Sequence, residues 1–333
     1  MNDIMSNMKL DNRDRELLYW LDRNSREPAS GIAKRMRVSK EVVAYRINRL
    51  LKSGVIKKFY TIIDVGRLGF SSHKVYFQFQ NLDSEKEREI LDFLVSMPQV
   101  FWVATCSGKW DLMLGSWAGN VMDFNDNVLE PILDRYSPYI LSKEMTITKH
   151  NIQQNRRWFH KGVEKAISSV VGGEPKDVRL DRLDVHILNI LKNEARAPTA
   201  EIARKVKANP MVAAYRIKKM HKDGVIQSFR ISLDLGKVGY EFCKAFIYLK
   251  DINKQKLDTF VNYCKSKENI LNVVTCVGPW DLELEFEVES FEHFHSEMKE
   301  IRERFSGIIK NYESVIISKE PRVDFMPENY AGF

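Results

Sequence analysis

The sequence predicts an α+β chain of two tandem units, each a three-helix segment with a strand followed by a βαββαβ layer. Two observations predict it. Residues 10–149 recur without a gap as residues 180–319, an offset of 170. Within each copy the apolar periodicity changes from helical spacing to short alternating runs separated by helix-length segments. Ala44-Tyr45-Arg46-Ile47 returns as Ala214-Tyr215-Arg216-Ile217, and Gly54-Val55-Ile56 as Gly224-Val225-Ile226. Gly108, Trp110, Asp111 and Leu112 return as Gly278, Trp280, Asp281 and Leu282. Roughly a quarter of aligned positions are identical, a level expected of an old duplication rather than a short-period solenoid. A unit of this length can be a whole protomer, so the chain reads as a dimer written in one polypeptide, its units paired within the chain as a pseudo-dimer or unit-for-unit between chains as a homo-oligomer.

In the first unit Asp11 suits an N-cap, and Leu17, Leu18 and Leu21 form one buried stripe. After Pro28, Ala29 to Met36 reads as a second helix and Arg37-Val38 as a tight turn. Ser39 caps a third helix running to Lys52, with Val43, Ile47 and Leu50 inward and Gly54 as its stop. Val55 to Ile63 alternates as a strand. Three short helices and a strand make a winged helix-turn-helix pattern, expected over 10–64. The second unit repeats it over 180–234, with Asn209 as cap and Pro210 in the first helical turn, where its missing N–H costs nothing.

The rest of each unit, 65–149 and 235–320, reads as strands at Lys74 to Gln80, Val100 to Cys106, Trp110 to Trp117 and Tyr139 to Thr148, with helices at Ser84 to Ser96 and Met122 to Tyr136, and the same order again in the second copy. The order βαββαβ predicts a ferredoxin-like domain, a four-stranded antiparallel sheet with two helices on one face. Residues 150–179 are expected to be a linker holding a basic helix (Arg156, Arg157, Lys161, Lys165) and a Gly172-Gly173 joint, and 321–333 a tail packed through Phe325 or Tyr330.

Net charge is +7, yet residues 10–60 carry +7 and residues 180–230 carry +6, which leaves −6 for the remainder. Two matched basic segments fit a polyanionic partner better than a merely solvated face. A recognition helix shows polar side chains to base edges from its first turns. The candidates are Ser39, Lys40, Glu41, Tyr45, Asn48 and Arg49, with Arg46 either at phosphate or bridging helices. Lys57 and Lys58 follow on the strand like a wing, where lysines add salt-dependent, sequence-blind affinity. In unit two the candidates are Asn209, Tyr215, Arg216, Lys218, Lys219 and Lys222, while Pro210 and Met211 replace Lys40 and Glu41. The expected partner is double-stranded DNA, read as two different half-sites with unit two the weaker.

The ordered set Leu10-Asp11, Ser39, Arg46-Ile47, Leu50, Gly54-Val55-Ile56 and Gly108-Lys109-Trp110-Asp111-Leu112, present twice, resembles the leucine-responsive/asparagine-synthase-regulator (Lrp/AsnC) family of transcription regulators. The resemblance implies DNA binding by the N-terminal domains, self-association through the ferredoxin-like domains, and a small effector, often an amino acid, between paired sheets. Such proteins usually carry glycine in the turn before the recognition helix; Arg37 and Lys207 stand there in this chain. By the same analogy Thr105, Gly108, Asp111, Thr275, Gly278 and Asp281 border the effector, with the two aspartates as ammonium partners. Residue chemistry alone gives a plainer use: glycine for turn geometry, tryptophan as core, aspartate as a turn acceptor.

No phosphate-binding glycine loop, His-Glu-x-x-His or Gly-x-Ser-x-Gly occurs, so neither catalytic residues nor a cofactor or metal is expected. Four cysteines without a Cys-x-x-Cys pair read as buried thiols. No apolar run is long enough for a membrane span and residues 1–10 lack a signal core, so a cytoplasmic, non-membrane protein is expected. Two alternatives stay open. One is an enzyme similar in architecture to sirohaem decarboxylases; the other is a ligand-binding oligomerisation module with vestigial helix-turn-helix domains.

Overall fold

A computed structural model describes residues 10–160, 166–176, 178–327 and 330. Helix α1 (Asn12–Arg23) starts as its sequence dictates: the Asp11 carboxylate accepts from the Asp14 amide and the Asp14 carboxylate accepts from the Asp11 amide, a capping box. Leu17, Leu18 and Leu21 are fully buried. Helix α2 (Ala29–Met36) ends at Arg37 in the left-handed region, and the Val38 amide donates back to the Ala33 carbonyl. Ser39 accepts from the Val42 amide to open α3 (Lys40–Lys52), and β1 (Ile56–Ile63) follows.

A short 3-10 turn leads to β2 (Ser71–Phe79), α4 (Ser84–Ser96), β3 (Val100–Gly108) and β4 (Leu112–Ala118). The next helix is α5 (Val121–Phe124), passing through a π turn at Asn125–Leu129 into α6 (Glu130–Tyr136), and then β5 (Ile140–Gln154). The expected linker helix is replaced: β5 runs on to Gln154, a 3-10 turn spans Arg157–Phe159, and β6 (Ser168–Gly172) pairs antiparallel with β5. The reason is burial. Arg156, Arg157, Trp158 and Phe159 all turn inward, where a solvated basic helix face cannot go. Lys161 and Lys165 of that expected helix lie outside the described residues.

The second unit repeats the order as α7 (Arg182–Leu191), α8 (Thr199–Lys205), α9 (Pro210–Lys222), β7 (Ile226–Leu233), α10 (Leu235–Val238), β8 (Glu241–Leu249), α11 (Lys254–Ser266), β9 (Ile270–Val277), β10 (Leu282–Val288), α12 (Phe291–Arg304) and β11 (Ile309–Val323). Lys207 repeats the left-handed turn of Arg37, both at φ 53°. A side chain held there costs about 1 kcal/mol or more, only partly offset by glycine's looser unfolded state. Arg37→Gly and Lys207→Gly are therefore each expected to raise stability by up to about 1 kcal/mol, read as a later urea midpoint.

The two ferredoxin-like sheets, ordered β5-β2-β4-β3 and β11-β8-β10-β9, join edge to edge through β3–β11 and β5–β9. Eight antiparallel strands thus close on themselves, which removes the exposed sheet edges. Helices α4 to α6 cover the outside of one half and α11 and α12 the other. Between the halves lies a third apolar layer of Tyr76, Trp102, Trp110, Met113, Phe246, Trp280, Val315 and Ile317.

Strands β1 and β7 make a separate antiparallel pair in which Tyr60 faces its own repeat-equivalent Arg230, so a pseudo-twofold axis passes there. Each helix-turn-helix core is finished by the other unit. Ile231, Leu233, Val238 and Tyr240 pack with α1 to α3, and Ile63, Val65, Leu68 and Trp117 pack with α7 to α9. The tail anchors as its aromatic residues suggest: Phe325 stacks on Tyr60 at 4.6 Å and Tyr330 meets Phe70 edge-on at 6.0 Å.

Candidate nucleic-acid interface and barrel cavity

Capping and the inward stripe of α3 turn Lys40, Glu41, Tyr45 and Asn48 to solvent, with Tyr45 66% exposed. Ser39 is exposed beside them while its hydroxyl serves as the cap. Arg46 bridges helices: its Nη1 lies 2.8 Å from Asp11 and 2.7 Å from Asp14, and Arg49 also pairs with Asp14. On α9 the same logic exposes Met211 (81%), Tyr215 (63%), Lys218 and Lys222. Asn209 is the cap, Arg216 pairs with Asp181 at 2.7 Å and Asp184 at 3.1 Å, and Lys219 lies 3.8 Å from Asp223.

The two helix-turn-helix domains are clasped by a reciprocal pair of repeat-equivalent arginines. Arg26 Nη1 donates to the Ala195 and Ala197 carbonyls at 2.6 and 3.0 Å. Arg196 Nη1 donates to the carbonyls of Ser25 and, at 3.0 Å, Glu27. Each such bond involves a charged donor and a half-buried site, so the clasp fixes how the two helices are presented.

Lys57 and Lys58 do not form a free wing, because β1 is paired with β7. Lys58 turns inward: its Nζ donates to Asn193 Oδ1 at 2.8 Å and the Val323 carbonyl at 3.0 Å, and burial pulls its pKa below the usual lysine range. Lys57 stays exposed at the rim of a cavity.

The six expected effector residues sit at the seams between units. The Asp111 carboxylate accepts from the Phe79 amide and that of Asp281 from the Leu249 amide, both at 2.8 Å, which is the turn-stabilising use. A Cβ on Gly108 would come 2.6 Å from the Ser314 carbonyl oxygen and one on Gly278 would come 2.7 Å from that of Met145, so both positions require glycine where the units meet. Thr105 pairs in register with Lys319, and Thr275 is buried. None of the six lines the cavity described next.

That cavity, about 470 Å³, lies between the open end of the barrel and the β1–β7 pair. Its walls include Lys57, Tyr60, Lys74, Phe101, Trp102, Trp117, Asn151, Arg156, Asn272, Glu285, Glu287, Lys319 and Glu320. Sequence reasoning missed it, since these residues come from eight separate stretches. The alternation Glu283, Glu285, Glu287 reads as a solvated strand face, yet all three are buried.

Two ion clusters back the cavity. Glu283 accepts from Lys74 at 2.7 Å, Lys244 at 3.0 Å and the Tyr76 hydroxyl. Lys244 also pairs with Glu285 at 2.9 Å. Burial alone would raise Glu283, but Lys244 and Lys74 reverse this and hold its carboxyl far below the usual range. In the second cluster Arg156 lies between Asp22 of α1 and Glu287 of β10, 2.8 Å from each, and Trp158 Nε1 donates to Glu287 at 3.0 Å. Among the described residues no group of three or more His, Cys, Asp or Glu could hold a metal ion, and no helix is long and apolar enough to cross a membrane.

A family model described as winged helix-turn-helix DNA-binding matches residues 10–57 and 180–227. The chain is similar to an uncharacterised HTH-type transcriptional regulator of Pyrococcus abyssi, 30% identical over 104 residues, 31% of this chain and 69% of the relative. It is similar to the regulatory protein AsnC of Haemophilus influenzae, 26% identical over 117 residues, 35% of this chain and 77% of that protein. Its fold is also like that of the siroheme decarboxylase NirDL, with TM-score 0.61 and 12% identity over 94% of this chain and 93% of that one.

Proposed function

We infer that this chain, which belongs to the Lrp/AsnC family of DNA-binding transcription regulators, reads an asymmetric DNA site with two unlike recognition helices and is modulated by a small effector. One observation carries the asymmetry: the clasped domains present Lys40, Glu41, Tyr45 and Asn48 on one side and Met211, Tyr215, Lys218 and Lys222 at the matching place on the other. Position by position, Lys40, Glu41 and Asn48 correspond to Pro210, Met211 and Lys218, with tyrosine in both, and Lys222 answers Lys52. The first set carries hydrogen-bonding and charged groups suited to base edges. The second opens on an exposed methionine, which suits apolar contact with a thymine methyl.

The test is fluorescence anisotropy on DNA from upstream of the protein's own gene, against scrambled DNA, over a salt series. Tyr45→Ala/Asn48→Ala is expected to cost at least about 1–3 kcal/mol of binding to the native fragment, against a smaller loss for Met211→Ala/Tyr215→Ala. Equal losses, or unchanged affinity when the two half-sites are exchanged, would sink the asymmetric reading.

Effector control is supported by the cavity's walls, which come from β1, the stretch after β7 and the barrel together. A ligand there touches the elements that carry both readers. The similarity in fold to a siroheme decarboxylase raises the enzyme reading, and the lining argues against it. The cavity holds five basic and six acidic side chains and no histidine, a poor match for a tetrapyrrole that carries many carboxylates at once.

A further inference from the structure

We propose that the barrel cavity binds a small carboxylic acid with a flat apolar body, its carboxylate at Lys57 and Lys319 and its body against Phe101, Trp102 and Trp117. This rests on the effector reading above and gives it a place and a ligand chemistry.

The lining divides by unit. Phe101, Trp102 and Trp117 correspond at the 170-residue offset to Leu271, Asn272 and Glu287, and all six line the cavity. One wall is therefore aromatic and the opposite wall polar. Two identical units would build two like walls; the tandem chain has been free to make them different.

The polar wall is already satisfied by its own partners. Glu285 is held by Lys244 and by Asn272 Nδ2 at 2.6 Å, Glu287 by Arg156 and Trp158, and Lys74 by Glu283. The charges left over are at the rim. Among the described residues neither the Lys57 nor the Lys319 side chain has a hydrogen bond or an ion pair, and both line the cavity. The whole run Ile316 to Glu320 on β11 lines it, and register shifts flank Lys319.

Glu320 accepts from Trp102 Nε1 at 2.8 Å. It is open to the cavity; desolvation raises its pKa, while Trp102 and the positive charge of Lys57 pull the other way. Its bond to Trp102 commits it to the aromatic wall, and the ammonium groups of Lys57 and Lys319 make a rim that attracts an anion. The volume falls within the roughly 300–1,000 Å³ of ordinary small-molecule sites.

The test is calorimetric titration of the full chain with indole-3-propionate, tryptophan and tryptamine, followed by anisotropy on the upstream DNA with and without each acid. The two carboxylates are expected to bind, and tryptamine at least about tenfold more weakly. Lys319→Gln, an exposed position whose fold is checked by thermal melting, is expected to weaken both acids about tenfold. Tryptamine binding as tightly as indole-3-propionate overturns the proposal, as does failure of both acids to bind below ~10 mM or indifference to Lys319→Gln. Acids that bind while DNA affinity stays constant would support the site and sink only the effector reading.

Discussion

Glu283→Gln is expected to destabilise the protein by about 3–5 kcal/mol at neutral pH, the cost of stripping the counter-ion from buried charge. Lys244 and Glu283 are wholly inaccessible and Lys74 is nearly so. Glutamine keeps the shape and one acceptor, but two ammonium groups then share a dry site with Glu285 alone. The cluster also crosses the duplication, since Lys74 and Tyr76 come from unit one and Lys244 and Glu283 from unit two. Its loss therefore acts on the joint between halves.

The pH dependence has a definite sign. The folded pKa of Glu283 lies below its ordinary value of 4.5. Its stabilisation is complete above that value and is lost as pH falls through the folded pKa. The gap between wild type and Glu283→Gln in urea unfolding should be widest near neutrality and close in acid. A loss under about 1 kcal/mol at neutral pH would show that water reaches Lys244 and that the site is not dry.

Much of this structure is legible from local chemistry. Asp11, Ser39 and Asn209 act as caps where they stand, and α4 begins and ends where the periodicity places it. Arg37 and Lys207 adopt the left-handed turn that their position requires despite their side chains. What was not legible depends on contacts between units. Nothing in β3 or β5 alone says that their edges meet β11 and β9. An amphipathic strand on a closed barrel reads like one on an open sheet, so Glu283, Glu285 and Glu287 look solvated until the barrel closes over them. Lysines at the matching positions 74 and 244 were the available signal that the inner face is charged. Arg46 was legible both as a phosphate contact and as a helix bridge, and it pairs with Asp14 across the two helices, as Arg49 does in the same unit and Arg216 with Asp184 in the other.

Arg156→Met is the second large effect, expected at about 3–5 kcal/mol because it leaves Asp22 and Glu287 buried without the cation between them. Burial alone would lower Arg156; Glu287 and Asp22 more than reverse this and hold it above its usual range. Asp22 belongs to α1, Glu287 to the barrel wall, and Arg230 of β7 donates to the Asp22 carbonyl at 2.9 Å. The cluster thus ties the first DNA-binding domain to the cavity. The other half of the molecule shows a less charged solution. At the same offset Arg156 corresponds to Met326 and Glu287 to Trp117, and both of those pack in the apolar core beneath the second DNA-binding domain, while Asp22 corresponds to Lys192, which keeps a less deeply buried ion pair with Asp324 at 3.3 Å. One junction is thus a fully buried ionic cluster and its counterpart an apolar pair beside a more open ion pair. Arg156→Met should accelerate amide exchange in α1 more than in α7. Arg156→Met/Glu287→Leu should recover part of the lost stability, since it moves the ionic junction towards the apolar one. Equal acceleration in α1 and α7 would mean that the two junctions are mechanically equivalent, and the ionic one would then have no special part in linking ligand to DNA.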